Sequence, residues 1–313
     1  MKPFMSWMGG KLCLLNEIIT RFPKDFRRNK MKYIEVFGGG GAVLFGKKES
    51  TFEVYNDFNG HLVNLFRVVK ERPFEFLQEL GIYNLNSRTE FGCLKLFLND
   101  ERVPYTYLKE NLTILDKMLP PLEKKQFIEL YSKHAEDRDL QRAVNFYKLI
   151  SYSFASGGSS WSAQKSTIID VTDKVTRCSH RLRSVVIENK DFEQLFKQYD
   201  EENAFFYCDP PYYEAEYYEA CFTEQDHRRL KNILANIKGK FMLSYNDCPF
   251  IRELYKDFYM IDVERNNSIS NKKGSVYKEL IIGNYDLREK NEDGYDQMAM
   301  ENYLMESEGN IDG

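Results

Sequence analysis

A chain of 313 residues, 42% of them hydrophobic, is long enough to bury a full core as one large domain or two smaller ones. No apolar run approaches the roughly 18 residues that cross a bilayer, and Met1-Lys2-Pro3-Phe4 lacks the apolar core of a secretory signal, so a cytoplasmic protein without membrane contact is expected. The net charge of −4 is uneven: nine acids and two bases from Asp286 to Gly313 carry −7, which leaves residues 1–285 at +3 and permits a polyanionic partner without identifying one.

Tyr33-Ile-Glu-Val-Phe37 is short, apolar and β-branched, and a four-glycine run follows it; the pattern predicts a buried strand ending in a tight loop. Phe52-Glu-Val-Tyr55 predicts a second strand, closed by Asn56-Asp57, and Leu62, Val63, Leu65, Phe66 and Val69 recur at helical spacing between Asn59 and Lys70. Strand, glycine loop, helix and strand in this order open a doubly wound α/β sheet. From about residue 74 to 150 the periods are helical (Phe74 to Leu80, Leu122 to Tyr131, Leu140 to Tyr152), with breaks at Pro104 and Pro120-Pro121. The polar stretch Ser156-Gly-Gly-Ser-Ser-Trp-Ser162 follows, then a basic run of Arg177, His180, Arg181 and Arg183. Strand patterns resume at Val185-Val-Ile187, Ala204 to Cys208, Lys240 to Ser244, Phe258 to Val263 and Val276 to Gly283, with helical patterns at Asp191–Tyr199 and Thr223–Ile237 between them. One α/β domain in two sequence pieces is expected, 1–72 and 185–287, interrupted by a mostly helical insertion over 73–184. The acidic tail of 288–313 has little periodicity and is expected to be disordered. The six cysteines are scattered, without Cys-x-x-Cys spacing or clustered histidines, which argues against a zinc site and a disulfide framework.

Two segments carry chemistry. Phe37-Gly-Gly-Gly-Gly41-Ala42 sits directly after a predicted strand, where glycines let the backbone approach a ligand and a following helix offers free N–H groups. Asp57, roughly 20 residues on, is placed to accept hydrogen bonds from ribose hydroxyls, or to cap the helix that begins near Asn59. Asp209-Pro210-Pro211-Tyr212 follows the apolar strand Ala204–Cys208 and so lies at the carboxyl end of a sheet strand, where α/β folds bind ligands. The paired prolines fix a backbone carbonyl. That carbonyl and the carboxylate together suit an amino group held in one orientation, and Tyr212 offers a flat face for a base. A rigid turn with no chemistry is the alternative.

The chain resembles the Dam-like adenine DNA methyltransferases over most of residues 1–285. The resemblance rests on Phe4-Met-Ser-Trp-Met-Gly-Gly-Lys11, Tyr33–Phe45, Asn56-Asp57 with Leu62-Val-Asn-Leu-Phe66, Asp191-Phe192, Asp209–Tyr213 and Phe222-Thr223, in this order and spacing. It implies a Rossmann-like S-adenosylmethionine-dependent methyltransferase sheet with helices on both faces, and a helical insertion that recognises DNA. It further implies that Trp7, Gly10 and Lys11 close over the methionine end of the cofactor, that Glu35, Phe37, Gly39 and Gly41 form the cofactor loop, that Asp57 holds the ribose, and that Asp191 and Phe192 hold the cofactor's adenine. Taken alone, Trp7 reads as a core residue, Lys11 as a solvated lysine and Asp191 as a helix cap. Val36 departs from the proline that many relatives carry there.

By the same resemblance the substrate is the exocyclic N6 amine of adenine in a short double-stranded DNA sequence, reached by base flipping, with Asp209, Pro210 and Tyr212 as the catalytic residues and no metal. A monomer is expected, with a dimer on DNA as the alternative. Lys165, Arg177, Arg181, Arg183, Lys272 and Lys273 are the expected DNA contacts, each with a solvated surface cation as the alternative. Competing readings are a cytosine-amine or RNA methyltransferase, a protein-glutamine methyltransferase, which would carry Asn at the position of Asp209, and a DNA-binding relative without catalysis.

Overall fold

The computed structural model describes residues 1–26, 30–81, 88–99, 135–153, 156–158, 160, 168–213, 222–266 and 276–290. Lys165, Lys272, Lys273, the helix expected over Leu122 to Tyr131 and the tail beyond residue 290 lie outside these residues. Among the described residues seven strands form one sheet: β1 (Lys32–Glu35), β2 (Glu53–Asn56), β3 (Val185–Glu188), β4 (Ala204–Cys208), β5 (Lys240–Asn246), β6 (Tyr259–Asn266) and β7 (Val276–Gly283). Their order is β3-β2-β1-β4-β5-β7-β6. The first five run parallel, while β7 enters antiparallel between β5 and β6.

Alternation along the strands assigns the two faces. Ile34, Val54, Phe206, Leu243 and Ile282 point to one side, into a core shared with three helices: α8 (Phe192–Tyr199), α9 (Glu224–Leu234) and α10 (Pro249–Leu254). Phe192, Leu195 and Phe196 of α8, Leu230 and Leu234 of α9 and Ile251 of α10 complete it. Tyr33 and Phe205 point to the opposite side, where Phe22 packs 6.0 and 4.7 Å from their rings. Phe22 follows the short helix α1 (Leu15–Ile19); α2 (Ala42–Gly46) opens directly on the glycine loop. The start of α9 is a full capping box, with the Thr223 side chain on the Asp226 backbone and the Asp226 side chain on the Thr223 backbone.

The chain divides into two compact units, the first comprising Met1–Pro3, Gly9–Asn59 and Arg181–Gly313, the second Phe4–Met8 and Gly60–His180. The first holds the sheet. The second is helical: α3 (Gly60–Glu71), α4 (Pro73–Leu80), α5 (Arg88–Leu98), α6 (Ala135–Ser151) and most of α7 (Ile168–Leu182). The helix α3, read from the sequence as part of the sheet domain, belongs to this second unit. It packs on α6 through the apolar face of Leu62, Leu65, Phe66 and Val69. Phe4 joins them, its ring 5.2 Å from Phe66 and 6.5 Å from Tyr147.

One expectation is corrected in the sheet unit. Arg181, expected on DNA, is only 5% exposed, and its guanidinium is bonded to both carboxylate oxygens of Glu53 and, at 3.0 Å, to the Leu44 carbonyl. Glu53 is itself buried at the start of β2, and Lys47 supplies its second cation. A guanidinium buried against a buried carboxylate is out of reach of phosphate. Ion pairs of this kind cost much desolvation, so removing Arg181 leaves the buried Glu53 with Lys47 as its one remaining cation and less of that cost compensated. Arg181→Ala should therefore destabilise the fold by about 3 kcal/mol, read as a lower urea midpoint at unchanged slope.

Candidate active site

The glycine loop is shaped by the end of β2. Gly39 and Gly41 have φ of 50° and 71°, left-handed values that favour glycine. At Gly38 a Cβ would lie 2.2 Å from the Tyr55 ring, so only glycine fits there. The Gly38 N–H donates to the Asn56 carbonyl at 2.7 Å, the Tyr55 hydroxyl donates to the Gly39 carbonyl at 2.7 Å, and the Gly39 N–H donates to Asp57 Oδ2 at 2.8 Å. The other oxygen of Asp57 accepts from the Asn59 N–H at 2.8 Å. Burial of its carboxyl raises the Asp57 pKa, opposed by these backbone donors.

Asn56 is a residue whose importance the sequence reading missed. Its buried carboxamide donates to the carbonyls of Val36 (2.9 Å) and Lys190 (3.1 Å) and accepts from the Lys190 N–H (2.9 Å). The loops after β1 and β3 are thereby tied to the end of β2 by one side chain. Just past that tie, Asp191 caps α8 by accepting from the Glu193 N–H at 2.9 Å, and it pairs with Arg229 at 2.7 Å. Phe192 joins Phe37 and Phe222 in a closed triad of rings with centroids 5.7 to 5.8 Å apart, and the Arg229 guanidinium lies 4.3 Å from the Phe192 centroid. In the sequence Phe222 stands out only beside Thr223 in the resemblance, because nothing local links it to Phe37.

Asp209 emerges from β4 beside this loop. Lys11, expected as a solvated residue when taken alone, is buried: its Nζ lies 2.8 Å from Asp209 Oδ1, donates to the Gly9 carbonyl at 2.9 Å and stands 4.7 Å from the centre of the Tyr212 ring. The ammonium thus marks a point that a carboxylate and a tyrosine face address together. The Tyr212 hydroxyl donates to Glu279 Oε2 at 2.6 Å. Tyr213 stacks on Phe250 with centroids 4.2 Å apart, and the Asn246 carboxamide donates to its carbonyl at 3.2 Å. Behind them His227 shares a 2.6 Å hydrogen bond with the Tyr245 hydroxyl, and burial lowers its pKa to about 4, so the imidazole is neutral at pH 7.

Glu35 lies deeper than a ligand-contacting residue would. It is 2% exposed and accepts from the Tyr33 hydroxyl at 2.6 Å. Burial raises its pKa to about 8, with the Tyr33 hydrogen bond and Lys47 opposing. Trp7 falls in the second unit, its ring 6.2 Å from Phe146. Arg177, in the same unit, is exposed and paired with Asp173 one turn away, and Arg183 is exposed at the turn after α7. Among the described residues no group of three or more His, Cys, Asp or Glu side chains is arranged to hold a metal ion, and no helix is long and apolar enough to cross a membrane.

A mixed α/β sheet that brings a glycine loop, an acid after the second strand and an Asp-Pro-Pro-Tyr loop after the fourth to one edge is the framework of an α/β enzyme. Residues 7–269 match the model of the D12 class N6 adenine-specific DNA methyltransferases, and the chain belongs to that family. It is 28% identical over 298 residues to a Type II methyltransferase of Lactococcus lactis subsp. cremoris, covering 91% of this chain and 96% of that protein. A Type II methyltransferase of Methanocaldococcus jannaschii is 28% identical over 314 residues (91% and 99%), and a DNA adenine methylase of Haemophilus influenzae 27% over 296 (90% and 92%). The sheet, the enzyme class and the adenine-directed activity expected from the resemblance are thereby supported.

The Glu35 carboxyl provides a pH test independent of activity. Its folded pKa lies above the unfolded value of 4.5, so the native state holds the extra proton between pH 4.5 and about 8, and stability falls as pH rises through that window. Glu35→Gln should flatten this fall, with melting temperatures that match wild type near pH 5 and exceed it near pH 8.

Proposed function

We propose that this chain methylates the N6 amine of an adenine flipped out of double-stranded DNA, with S-adenosylmethionine as donor and Asp209, Pro210 and Tyr212 as the groups that receive the base. The observation that carries the reading is the common point addressed by the Asp209 carboxylate and the Tyr212 face, marked by the Lys11 ammonium 2.8 Å from one and 4.7 Å from the centre of the other.

The residues around the loop suit the cofactor. Asp57 keeps a carboxylate at the end of β2 for ribose hydroxyls, the left-handed Gly39 and Gly41 open the backbone, and the apolar rings of Phe37 and Phe192 suit a purine. Asp191 and Arg229 flank those rings with polar groups for the purine's edge. Lys11 is placed toward the methyl-donating end, and the buried Glu35 supports the strand from which the glycine loop starts. When bound, the sulfonium supplies an electrophilic methyl group for in-line displacement.

The chain's own residues act on the acceptor. The adenine amine is a weak nucleophile because its lone pair is delocalised into the ring, and extruding the base costs a few kcal/mol. Stacking on Tyr212 offsets part of that cost. Asp209 and the Pro210 carbonyl accept the two amino hydrogens and orient the nitrogen lone pair. The negative carboxylate also favours the positive charge that grows on nitrogen during transfer.

The helical unit and the exposed Arg177 and Arg183 are assigned to DNA contact, together with Lys165, Lys272 and Lys273. The enzyme acts as a monomer in the cytoplasm, where its DNA lies. Incubation with methyl-labelled S-adenosylmethionine and unmethylated duplex DNA, followed by nucleoside mass spectrometry and mapping, should yield N6-methyladenine at one short sequence. Label on cytosine, or on RNA alone, would overturn the reading. Asp209→Ala should lower transfer by at least roughly a hundredfold with cofactor affinity within about threefold of wild type, measured by calorimetry.

A further inference from the structure

The loop that carries Tyr212 is held from behind by the last strand of the sheet. Glu279 stands on β7 directly opposite Asn246 of β5 in the antiparallel register. Each reaches the loop at a different atom. Glu279, 2% exposed, accepts the Tyr212 hydroxyl at 2.6 Å, and Asn246 donates to the backbone carbonyl of Tyr213 at 3.2 Å. A carboxylate buried in a sheet is costly, and an apolar pair would fill the same space without that cost. What the carboxylate adds is direction. A ring anchored at its tip as well as its Cβ cannot swing about χ1, so its face stays fixed. That face is the one Lys11 stands over while touching Asp209.

We infer that Glu279 is a positioning residue for methyl transfer: through the Tyr212 hydroxyl it holds the ring face in line with the Asp209 carboxylate, with Asn246 fixing the adjoining backbone. The inference rests on the assignment of Tyr212 as the surface on which the target base stacks. No atom of Glu279 need touch the base. Its effect belongs to geometry, where a shift of about 1 Å can cost roughly a hundredfold in rate.

The test uses the full-length enzyme, S-adenosylmethionine and a duplex containing the mapped site, with 2-aminopurine at the target adenine for fluorescence in the presence of S-adenosylhomocysteine. Glu279→Ala should lower kcat by about 10- to 100-fold with the KM for S-adenosylmethionine within about twofold, and should brighten the 2-aminopurine signal as the base loses its stacking partner. Glu279→Gln, which keeps an acceptor, should stay within about threefold of wild type in kcat. Tyr212→Phe breaks the same bond from the other side and should reproduce the Glu279→Ala values, and the double variant should be no worse than either single one. Wild-type turnover and fluorescence in Glu279→Ala or in Tyr212→Phe would overturn the inference, as would losses that multiply in the double variant. If Glu279→Ala does not fold, Tyr212→Phe decides by the same two readouts. Tyr212→Ala separates this inference from the reading beneath it: wild-type kcat and fluorescence in that variant sink the stacking assignment itself. A defective Tyr212→Ala beside an unimpaired Tyr212→Phe overturns only the role of Glu279.

Discussion

The parallel pairing of β1 with β2 on one side and β4 on the other brings three strand ends to one edge, because Glu35 stands opposite both Tyr55 and Tyr207. A shift of one residue in either pairing would turn Asp57 or Asp209 to the wrong face of the sheet. With the register fixed, the glycine loop, the acid after β2 and the Asp-Pro-Pro-Tyr loop become neighbours although they lie far apart in sequence. The hydrogen bonds from Gly38 to Asn56, from Gly39 to Asp57 and from Tyr55 to Gly39 then weld the first loop to the second strand. Chemistry at this edge depends on that registration more than on any single side chain.

The same strands contain an unusual amount of charge. Glu35 and Glu53 lie inside the sheet unit, and Lys47 and Arg181 converge on Glu53. Burial pushes the Lys47 pKa down to about 8, with Glu53 opposing the fall, while the paired cations hold Glu53 below its ordinary value against desolvation. These groups contribute specificity of packing: the Lys47 ammonium and the two terminal nitrogens of Arg181 each meet a particular acceptor, and an apolar core there would tolerate more slippage. The polar core beneath the glycine loop therefore helps give the loop its shape.

Much of the architecture was legible in the amino-acid sequence. The strands after residues 33, 52, 185, 204, 240, 258 and 276 and the helices beginning near residues 60, 192 and 224 follow from period and capping residues, which are local signals. Asp209 and the glycines stood out because prolines and glycines restrict the backbone wherever they occur. Arg181 was misread because a basic run looks like a surface feature. The buried stripe of α7, Val171, Val175, Cys178 and Leu182, carries the counter-signal, since Arg181 lies three residues from Cys178 on nearly the same face. Lys11 against Asp209, Phe222 against Phe37 and Glu279 against Tyr212 had no such signal. Each is a contact between distant segments, created only when the sheet closes.

The position of β7 also bears on how the molecule comes into being. Among the described strands β6 pairs with β7 alone, and β7 fills the gap between β6 and β5. On the ribosome, β6 therefore emerges before it has a neighbour, and the outer edge of β5 stays open until the chain has passed Gly283. Asp209, Lys11 and the glycine loop are all translated well before that moment, but the carboxylate that bonds the Tyr212 hydroxyl arrives with β7, the last of the described strands. A nascent chain thus carries a tyrosine without that tether, and translation of β7 and completion of the loop become one event.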